Sequence, residues 1–455
     1  MYKLLNVEQM RTKALLSALF FCLLLAACKD DSIPTIEVSP TAFTQLTGEA
    51  QTLEISISTT GEWRVTDYPT WCTPLSQEGK GEAVLQLAVS ANISGERNGT
   101  VTIWGEEKSI TVSISQEALS TTEEYTYRLP VICHVLYKDP TNPLQYISQK
   151  RITQIIERVN SLYDGEVIYK GGSDGVDMNL QFVLAETDED GNKLDTPGVE
   201  YILRNDIPMN YSTFMTTKDE EEVALVWDPN RYINIFFYPF DDDDDENIVL
   251  GVSHIPYHAK DAPAMEGYND IQYNYLSKKN LGYPYCLSIN SDYINEETSF
   301  TPTADGITIT YTPTDIHCTV AHELGHYLGL HHAFYEEEEG GKGGSCCDTD
   351  YCDDTPTYNR TVYMAELEAI IKSNTTLKLS EVVKRNDCLT DETFDSYNIM
   401  DYEFSFSDRF TPDQRERIRH TLNYSPLIPG PKKLEESATR SMVDTPIDLP
   451  IKYVK

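Results

Sequence analysis

Residues 322–332, HELGHYLGLHH, hold the side chains of this chain whose types and spacing best fit metal chemistry. His322 and His326 are four residues apart, so on a helix both imidazoles project from one face, one turn from each other. Two such nitrogens can bind one tetrahedral ion at about 2.0–2.1 Å each. Glu323 follows the first histidine directly, where its carboxylate can contact water rather than the ion. The spacing therefore predicts a zinc site with Glu323 placed beside a metal-bound water.

An amphipathic helix is predicted to carry this stretch. Thr314 or Asp315 can serve as its N-cap, and apolar residues then recur every four positions, at Ile316, Val320, Leu324 and Leu328. Gly329 should end the helix, because glycine adopts a left-handed backbone conformation at low cost. The chain can then turn back and bring His332 to the ion as a third ligand. Three protein ligands leave one position open, which is typical of catalytic rather than structural zinc.

A run of histidines on a helix can also be an ordinary solvated face. This chain, however, has only nine histidines among 455 residues. An HExxH motif followed by a glycine and a third histidine at fixed spacing therefore rarely arises by chance. His331, beside the third ligand, is interpreted as structural, and His317 as helix surface.

Length and charge limit the classes of function. A chain of 455 residues is too long for one ordinary domain, so two or three domains are expected. The net charge is −37 and no basic patch is visible in the sequence, which argues against nucleic-acid binding. Such acidity is typical of a soluble exported protein and is compatible with calcium sites.

The N-terminus predicts export and lipidation. The apolar run 14–27, ALLSALFFCLLLAA, is too short for a stable transmembrane span and is typical of a signal peptide, here residues 1–27. It ends in LAAC, which resembles a bacterial lipobox, so cleavage would leave Cys28 to carry lipid and residues 28–34 as a tether. The alternative is an ordinary secretory signal. The following CKDD resembles the export tag of Bacteroidetes surface lipoproteins, which implies an outer-membrane lipoprotein exposed on the cell surface.

The cysteine pattern predicts a disulfide bridge near the histidine helix, since an exported protein meets oxidising surroundings. The cysteines in loop-like sequence after that helix are Cys346, Cys347, Cys352 and Cys388. Their pairing cannot be deduced from sequence. Cys133 lies in an apolar run and is predicted to be a buried thiol.

Residues 35–118 are predicted to form a small all-β, immunoglobulin-like sandwich, because short alternating runs are separated by turn residues. The segment resembles the BACON domain in GEWRVTDYPTWC (61–72), NISGERNGTVTI (92–103) and ITVSISQE (110–117). That family is presumed to bind carbohydrate or mucin, so the resemblance implies glycans or glycoproteins as partners. Its tryptophans are interpreted as core residues first and stacking platforms second; they are Trp63, Trp71 and Trp104.

Residues 119–126 are a polar linker, and residues 127–428 have an α/β composition. Strands are predicted at 129–137, 178–186 and 232–240, a helix at about 148–163, and a cleft-edge strand at 251–257. Residues 429–455 carry prolines and charges and are predicted to be a flexible tail.

A methionine downstream completes a second signature. Met400, in SYNIMDY (396–402), can form a turn beneath the metal and orient its ligands. The long histidine motif followed by such a methionine is the metzincin signature. In related metzincins a tyrosine two residues after this methionine points at the metal. Tyr402 has that place here, and its hydroxyl could donate to a developing oxyanion.

Residues 127–428 as a whole resemble the pappalysin (cytophagalysin) family of metzincin zinc proteases. The matching stretches, in chain order, are LPVICHVLY (129–137), WDPNRYINIFFY (227–238), HELGHYLGLHHAF (322–334), CDDTP (352–356), NIMDY (398–402) and FTPDQRERI (410–418). The resemblance implies an α/β (α+β) domain with two subdomains around a zinc cleft, acting on protein or peptide substrates. The roles it implies are zinc binding by His322, His326 and His332, general base catalysis by Glu323, a Met-turn at Met400 and oxyanion stabilisation by Tyr402.

Two further sets of carboxylates are candidates for a calcium site and for a specificity pocket. The family often binds calcium after the zinc helix, and the candidate ligands of a structural Ca²⁺ here are Asp348, Asp350, Asp353 and Asp354. Glu403 and Asp408 follow the Met-turn and could form a pocket that favours Arg or Lys after the scissile bond. The alternatives are that these acids face solvent, or that Asp408 pairs near Arg409.

Two other functions fit the sequence less well. A binding lipoprotein with an inactive protease domain is disfavoured, because every catalytic element is intact. A zinc-dependent deacetylase or amidase lacks support, because those families do not combine this motif with a Met-turn. An exported, lipid-anchored zinc endopeptidase is the function that the sequence favours.

Overall fold

A computed structural model of the chain gives the architecture. It describes residues 35–105, 108–120, 124–169, 171–241, 248–303, 306–334, 350–373, 378–402, 404–434 and 445–454. Several residues singled out above lie outside these ranges: Cys28, Cys346, Cys347, Asp348 and Glu403. The signal peptide and the tether, residues 1–34, also lie outside them.

The N-terminal region is all-β. Its strands alternate buried apolar and exposed polar residues, as Leu53, Ile55 and Ile57 do against Glu54 and Ser56, which lets each sheet bury one face. Two sheets, β1-β3-β7-β5 and β2-β9-β8-β4-β6, form the sandwich. The strands are β1 Glu37–Ser39, β2 Ala42–Leu46, β3 Gln51–Ser58, β4 Glu62–Asp67, β5 Cys72–Pro74, β6 Glu78–Lys80, β7 Ala83–Val89, β8 Arg97–Trp104 and β9 Ser109–Gln116.

The remainder of the described chain mixes strands and helices. The strands are β10 Tyr127–Tyr137, β11 Leu180–Leu184, β12 Val199–Leu203, β13 Ile233–Tyr238, β14 Gly251–His254, β15 Tyr257–His258, β16 Asn269–Asp270, β17 Leu287–Asn290, β18 Ser299–Thr303, β19 Gly306–Thr310, β20 Lys384–Asn386, β21 Thr393–Asp395 and β22 Tyr453–Val454. The α-helices are α1 Gln149–Tyr163, α2 Tyr211–Thr216, α3 Glu220–Ala224, α4 Ile316–Tyr327, α5 Arg360–Ser373, α6 Leu379–Val382 and α7 Pro412–Tyr424. Together with the all-β region, this organisation confirms the predicted fold class.

The central sheet has the order β11-β10-β13-β17-β14-β22, and β12 also pairs with β10. The strands β10, β13 and β17 run parallel, whereas β14 is antiparallel to β17. β10 and β13 are apolar along nearly their whole length because both faces of a parallel sheet are covered. The order places β14 beyond β17, where it packs against α4.

Helices α1 and α4 pack against each other beneath this sheet. Ser148 caps α1 by accepting from the Arg151 amide, and the helix buries the apolar stripe that includes Ile152, Ile155 and Val159. The Tyr163 hydroxyl at its end donates to the carbonyl of Ala321 in α4, at 3.0 Å. The helix that carries the histidines is therefore fixed to the rest of the core.

The tail predicted as flexible is ordered in part, so that prediction is wrong for residues 445–454. Leu449 is buried, and β22 pairs antiparallel with β14. The physical reason is an alternation of apolar residues at 447, 449, 451 and 453, a strand pattern that covers the edge of β14.

Among the described cysteines, Cys72, Cys133, Cys286, Cys318 and Cys352 are free thiols. Cys352 therefore takes no part in the predicted bridge. Cys388 is disulfide-bonded. Within the described ranges, no helix combines the length and the apolar character needed to cross a bilayer.

Candidate metal centre

The histidine helix is held at both ends. Asp315 caps α4 by accepting from the His317 amide at 2.9 Å. Past the helix, Gly329 has a φ of +95°, and a Cβ there would lie 2.5 Å from Thr421 Oγ1. Arg417 donates to the Gly329 carbonyl through Nε and Nη2, at 3.2 and 3.1 Å. A side chain at position 329 would thus be both strained and obstructed, and the turn directs the chain back over the helix.

Three buried imidazoles meet at one point. His326 Nε2 lies 3.0 Å from Nε2 of His322 and 3.0 Å from Nε2 of His332. These separations are close to the roughly 3.3 Å between two nitrogens that share one tetrahedral zinc ion. Among the described residues, these three histidines are the group that could hold a metal ion.

The hydrogen bonds of the Nδ1 atoms explain why the Nε2 atoms face each other. His322 Nδ1 lies 2.8 Å from the Ile399 carbonyl, and His326 Nδ1 lies 2.9 Å from the Leu330 carbonyl. A carbonyl oxygen can only accept, so both protons sit on Nδ1 and both Nε2 lone pairs point at the shared centre. Burial, and then the neighbouring imidazoles, lowers the pKa of His326 and His332 well below the usual value. Neutral imidazoles with convergent lone pairs fit a zinc ion.

Glu323 lies next to this group and is almost completely buried. Its Oε2 has no hydrogen-bond partner among the described residues. Burial raises the pKa of its carboxyl well above the usual range. The other side of this carboxylate faces β14, where a Cβ added to Gly251 would lie 2.6 Å from Glu323 Cγ. A buried carboxyl with one uncommitted oxygen suits proton transfer.

A tight turn around Met400 supports the histidines from below. The Met400 amide donates to Asn398 Oδ1 at 2.9 Å, and the Met400 carbonyl accepts from the Ala333 amide at 2.9 Å. The fully buried Met400 side chain lies so close to Gly325 that a Cβ there would be 2.5 Å from Sδ. Because Ile399 O is also the partner of His322, this turn touches the site at several points.

Tyr402 lies against two of the histidines. Its ring centroid is 4.3 Å from that of His332 and 5.4 Å from that of His322. Phe334 adds a further ring at 5.0 Å, and the Arg360 guanidinium lies over Tyr402 at 5.2 Å. The structure therefore brings Tyr402 to the site, as expected from its position after Met400.

Arg385 is a buried support of the Met400 turn that the sequence did not reveal. Its Nη1 donates to the Val382 carbonyl at 3.0 Å, and its Nη2 donates to the carbonyls of Tyr402 and Phe404 at 3.2 and 3.0 Å. The guanidinium also lies 3.5 Å above the Tyr363 ring. No local motif marks Arg385, because its partners are spread over about 40 residues of chain, from Tyr363 to Phe404.

Asp408 does not form the floor of a specificity pocket, so that interpretation is corrected. Its carboxylate is fully buried and accepts from the amides of Ile168 and Tyr169, at 2.9 and 2.7 Å. Arg409 Nε also donates to it, at 2.7 Å, which is the pairing weighed as an alternative. Asp408 has an anchoring role, and its oxygens are already committed. Glu403 lies outside the described residues, so its role stays a prediction.

A cavity of about 520 Å³ lies beside the first turn of α4. Part of its lining is apolar or aromatic: Leu162, Tyr169, Phe300, Tyr311, Cys318 and Phe406. Charged side chains that reach it are paired with one another, as Arg158 is with Glu166 at 3.0 Å. Asp408 does not belong to this lining among the described residues.

The aspartates proposed as calcium ligands do not converge within the described chain. Asp350 is buried and accepts from the Cys352 amide and the Thr355 hydroxyl, at 3.1 and 2.6 Å. Asp354 instead accepts from the Asp413 amide at 2.9 Å, and Asp353 is exposed. Asp348 lies outside the described residues. Calcium binding in this loop stays a prediction.

Comparison with known families agrees with the geometry. Residues 300–423 match the family model described as pregnancy-associated plasma protein-A, a metallopeptidase family. The match spans the three histidines, Glu323, Met400 and Tyr402. The chain contains a pappalysin metallopeptidase domain.

Two fungal proteins are similar to part of this chain. The chain is 33% identical over 102 residues to a protein of Arthroderma benhamiae named extracellular metalloprotease, and to one of the same name from Trichophyton verrucosum. Each alignment spans 22% of this chain and 29% of the relative. Mature mirolysin of Tannerella forsythia, solved with a cleaved peptide, is 21% identical; the match covers 65% of this chain and 92% of mirolysin, with a TM-score of 0.38. That score is too low to establish a shared fold by itself.

A second family model lies upstream of the pappalysin domain. Residues 61–117 match the BACON family, described as a putative N-terminal binding domain, which confirms that resemblance. Trp63 is a core residue at 4% exposure, and Trp71 is half-buried beneath the Arg97 guanidinium. Trp104 is 39% exposed and belongs to the surface. Glycan binding by this domain stays a prediction.

Proposed function

We propose that this protein is a zinc-dependent endopeptidase that hydrolyses peptide bonds with Glu323 as its general base. One observation carries the proposal: three buried imidazoles turn their Nε2 atoms to one point, and the uncommitted Oε2 of buried Glu323 lies beside them. The family match of residues 300–423 supports the same reaction class.

A bound zinc ion with one open position would make water more acidic and polarise the substrate carbonyl. Glu323 accepts a proton at Oε2 as water attacks that carbonyl, and then delivers this proton to the nitrogen of the leaving amine. The Tyr402 hydroxyl donates to the carbonyl oxygen as negative charge develops there. His322 and His326 keep their orientation through their bonds to the carbonyls of Ile399 and Leu330.

The decisive variant is Glu323→Gln, which keeps the size of the side chain and removes the base. We expect unchanged zinc content by elemental analysis and a loss of about 10²–10⁴-fold in kcat/KM on a fluorogenic peptide. Glu157→Gln, an exposed glutamate on α1, is the matched control and should retain wild-type activity. Activity that survives in Glu323→Gln, or that a zinc chelator does not abolish in the wild type, contradicts the proposal.

We also propose that the mature protein is anchored to the outer membrane by lipid on Cys28 and displayed at the cell surface. Support comes from the LAAC stretch behind an apolar run and from the acidic residues after it. Lipidation requires the thiol, so Cys28→Ala should move the protein from the membrane fraction to the soluble fraction of expressing cells. Cys72→Ala is the control, because this buried thiol lies in the sandwich. Continued fractionation of Cys28→Ala with membranes would remove the proposal.

A further inference from the structure

Strand β14 has two sides with different partners. The Asn290 amide donates to Leu250 O at 2.9 Å and the His254 amide donates to Cys286 O at 3.2 Å, so even-numbered positions bond toward β17. The Ile255 amide donates to Lys452 O at 3.1 Å, on the opposite side. Backbone groups alternate along an antiparallel strand, so those of Gly251 and Ser253 also point away from β17.

The start of this outer edge runs past the proposed base. A Cβ at Gly251 would lie 2.6 Å from Cγ and 2.8 Å from Oε1 of Glu323. An extended peptide that pairs with an open strand edge is held by backbone hydrogen bonds, which suit many sequences. A peptide paired at Gly251 therefore presents its backbone to Glu323 and the three histidines.

Two residues after Gly251, the outer edge of β14 is already paired with β22. Ser253 pairs with Val454 and His254 pairs with Tyr453. The distance along the strand from Gly251 to Ser253 is about 7 Å, the rise of two residues. A peptide antiparallel to β14 runs in the same direction as β22, so its N-terminal part would meet Val454.

The segment that ends in β22 is held firmly in place. The Ile447 amide donates to the Asn280 carbonyl at 3.0 Å, and Asn280 Nδ2 donates to the Thr445 carbonyl at 3.2 Å. The Tyr257 hydroxyl donates to the Pro450 carbonyl at 3.0 Å, and the hydroxyls of Ser212 and Tyr453 are 2.8 Å apart. Together with the buried Leu449, these contacts make the segment part of the cleft wall.

We infer that residues 445–454 set the length of substrate that the cleft accepts, because β22 fills the substrate-binding edge from Ser253 onward. This inference rests on the proposed peptidase function. Peptides with about two residues before the scissile bond fit between Glu323 and Val454, given the strand rise. Peptides that extend further on their N-terminal side must displace β22 and lose affinity. The favoured substrates are peptides cut close to their N-terminus.

The test is a series of acetylated peptides that share one cleavage sequence and carry from one to six residues before the cut. Acetylation keeps the effect of length separate from that of a terminal charge. For the wild type, kcat/KM should fall roughly tenfold once the N-terminal part is longer than the free edge, because the peptide and β22 then compete for the same few backbone hydrogen bonds.

Val454→Pro removes the amide that faces Ser253 and should restore cleavage of the long peptides, whereas Val454→Ala keeps the amide and should behave as the wild type. Truncation after Leu449 should act as Val454→Pro does.

A second readout separates this inference from the proposed function. Binding of the same peptides to zinc-loaded Glu323→Gln enzyme, measured by fluorescence anisotropy, should show the same dependence on N-terminal length and the same relief in a double variant with Val454→Pro. A wild type that cleaves no peptide overturns the proposed function, while this binding series still tests the inference. Affinity and kcat/KM that are independent of N-terminal length, or that depend on C-terminal length instead, overturn the inference.

Discussion

Two glycines at the site show how much of its geometry depends on the absence of a side chain. Gly325 lets the Met400 sulfur approach the histidine helix, and Gly251 lets β14 approach Glu323. Neither glycine has a φ in the left-handed region, so backbone freedom does not explain them. Both are instead positions of close approach between two elements.

Gly251→Ala should therefore damage catalysis without removing the metal ligands. The added methyl would meet Glu323 Cγ at 2.6 Å, so the carboxylate has to shift. A displacement of about 1 Å at a catalytic group costs on the order of 10²-fold in rate. We expect that loss in kcat/KM with unchanged zinc content. Gly282→Ala is the control, because its nearest neighbours would be 3.9 Å away. Equal activity of the two variants would contradict the close-approach argument.

The residues of the histidine motif could be placed from sequence because their relation is local. Helical spacing alone puts His322 and His326 on one face, and Gly329 marks the turn that returns His332. Asp408 was misjudged for the opposite reason. Its partners, Ile168 and Tyr169, lie about 240 residues away along the chain, and no local pattern links them.

At the scale of elements, the Met400 turn depends on Arg385. The planar guanidinium donates to three carbonyls in different directions, which the point charge of a lysine cannot do. Arg385→Lys should lower the free energy of unfolding by about 2–4 kcal/mol, because a buried network loses partners. It should also lower kcat/KM, because Tyr402 is held through its carbonyl.

Chemical denaturation of zinc-loaded protein measures this effect. Arg128→Lys is the matched control: Arg128 is exposed on β10, and its replacement should change stability by less than about 0.5 kcal/mol. If Arg385→Lys unfolds at the same denaturant concentration as this control, the hydrogen bonds of Arg385 do not support the turn.

Helices and strands whose apolar residues recur at regular spacing could be predicted, and those with irregular spacing could not. The helix predicted at about 148–163 is observed at Gln149–Tyr163, since its apolar stripe and Ser148 cap are local signals. The C-terminal strand was missed although Ile447, Leu449, Ile451 and Tyr453 alternate. Prolines interrupt this run, and proline is tolerated at a sheet edge, which is where β22 lies.

For the molecule as a whole, one buried histidine makes stability depend on pH. His254 is fully buried; its Nδ1 lies 2.9 Å from the Cys286 carbonyl oxygen and 3.2 Å from the Cys286 amide nitrogen, and its Nε2 lies 3.0 Å from Met215 O. Burial lowers the pKa of His254 from 6.5 to about 4. As the pH falls, His254 is therefore protonated in the unfolded chain before it is protonated in the folded protein. The stabilising contribution is complete above pH 6.5 and is lost as the pH falls through this interval toward 4.

His254→Gln should remove that dependence. Between pH 7 and pH 5, the wild type should lose about 2 kcal/mol more of its unfolding free energy than the variant, given one shift of this size. Urea unfolding at both pH values, with zinc in excess, measures the difference between the two proteins. An equal decrease in unfolding free energy in both proteins would show that His254 does not cause this pH dependence.

The overall architecture was accessible from sequence only in outline. Composition and periodicity distinguish the all-β region from the α/β region, and these regions contain the two matched families. The strand order β11-β10-β13-β17-β14-β22 was not accessible, because pairing between distant strands leaves no local pattern. For the same reason, only the structure reveals that β22 lies on the edge of β14.

The supports of the metal centre are synthesised after its ligands. His322 needs the carbonyl of Ile399, and the turn at Gly329 needs Arg417, some 80 residues later in the chain. A chain still emerging from the ribosome or crossing a membrane can hold the HExxH segment but lacks the groups that orient it. We therefore expect the imidazoles to converge only after translation has passed α7. Unfinished copies would then lack the proposed peptidase activity.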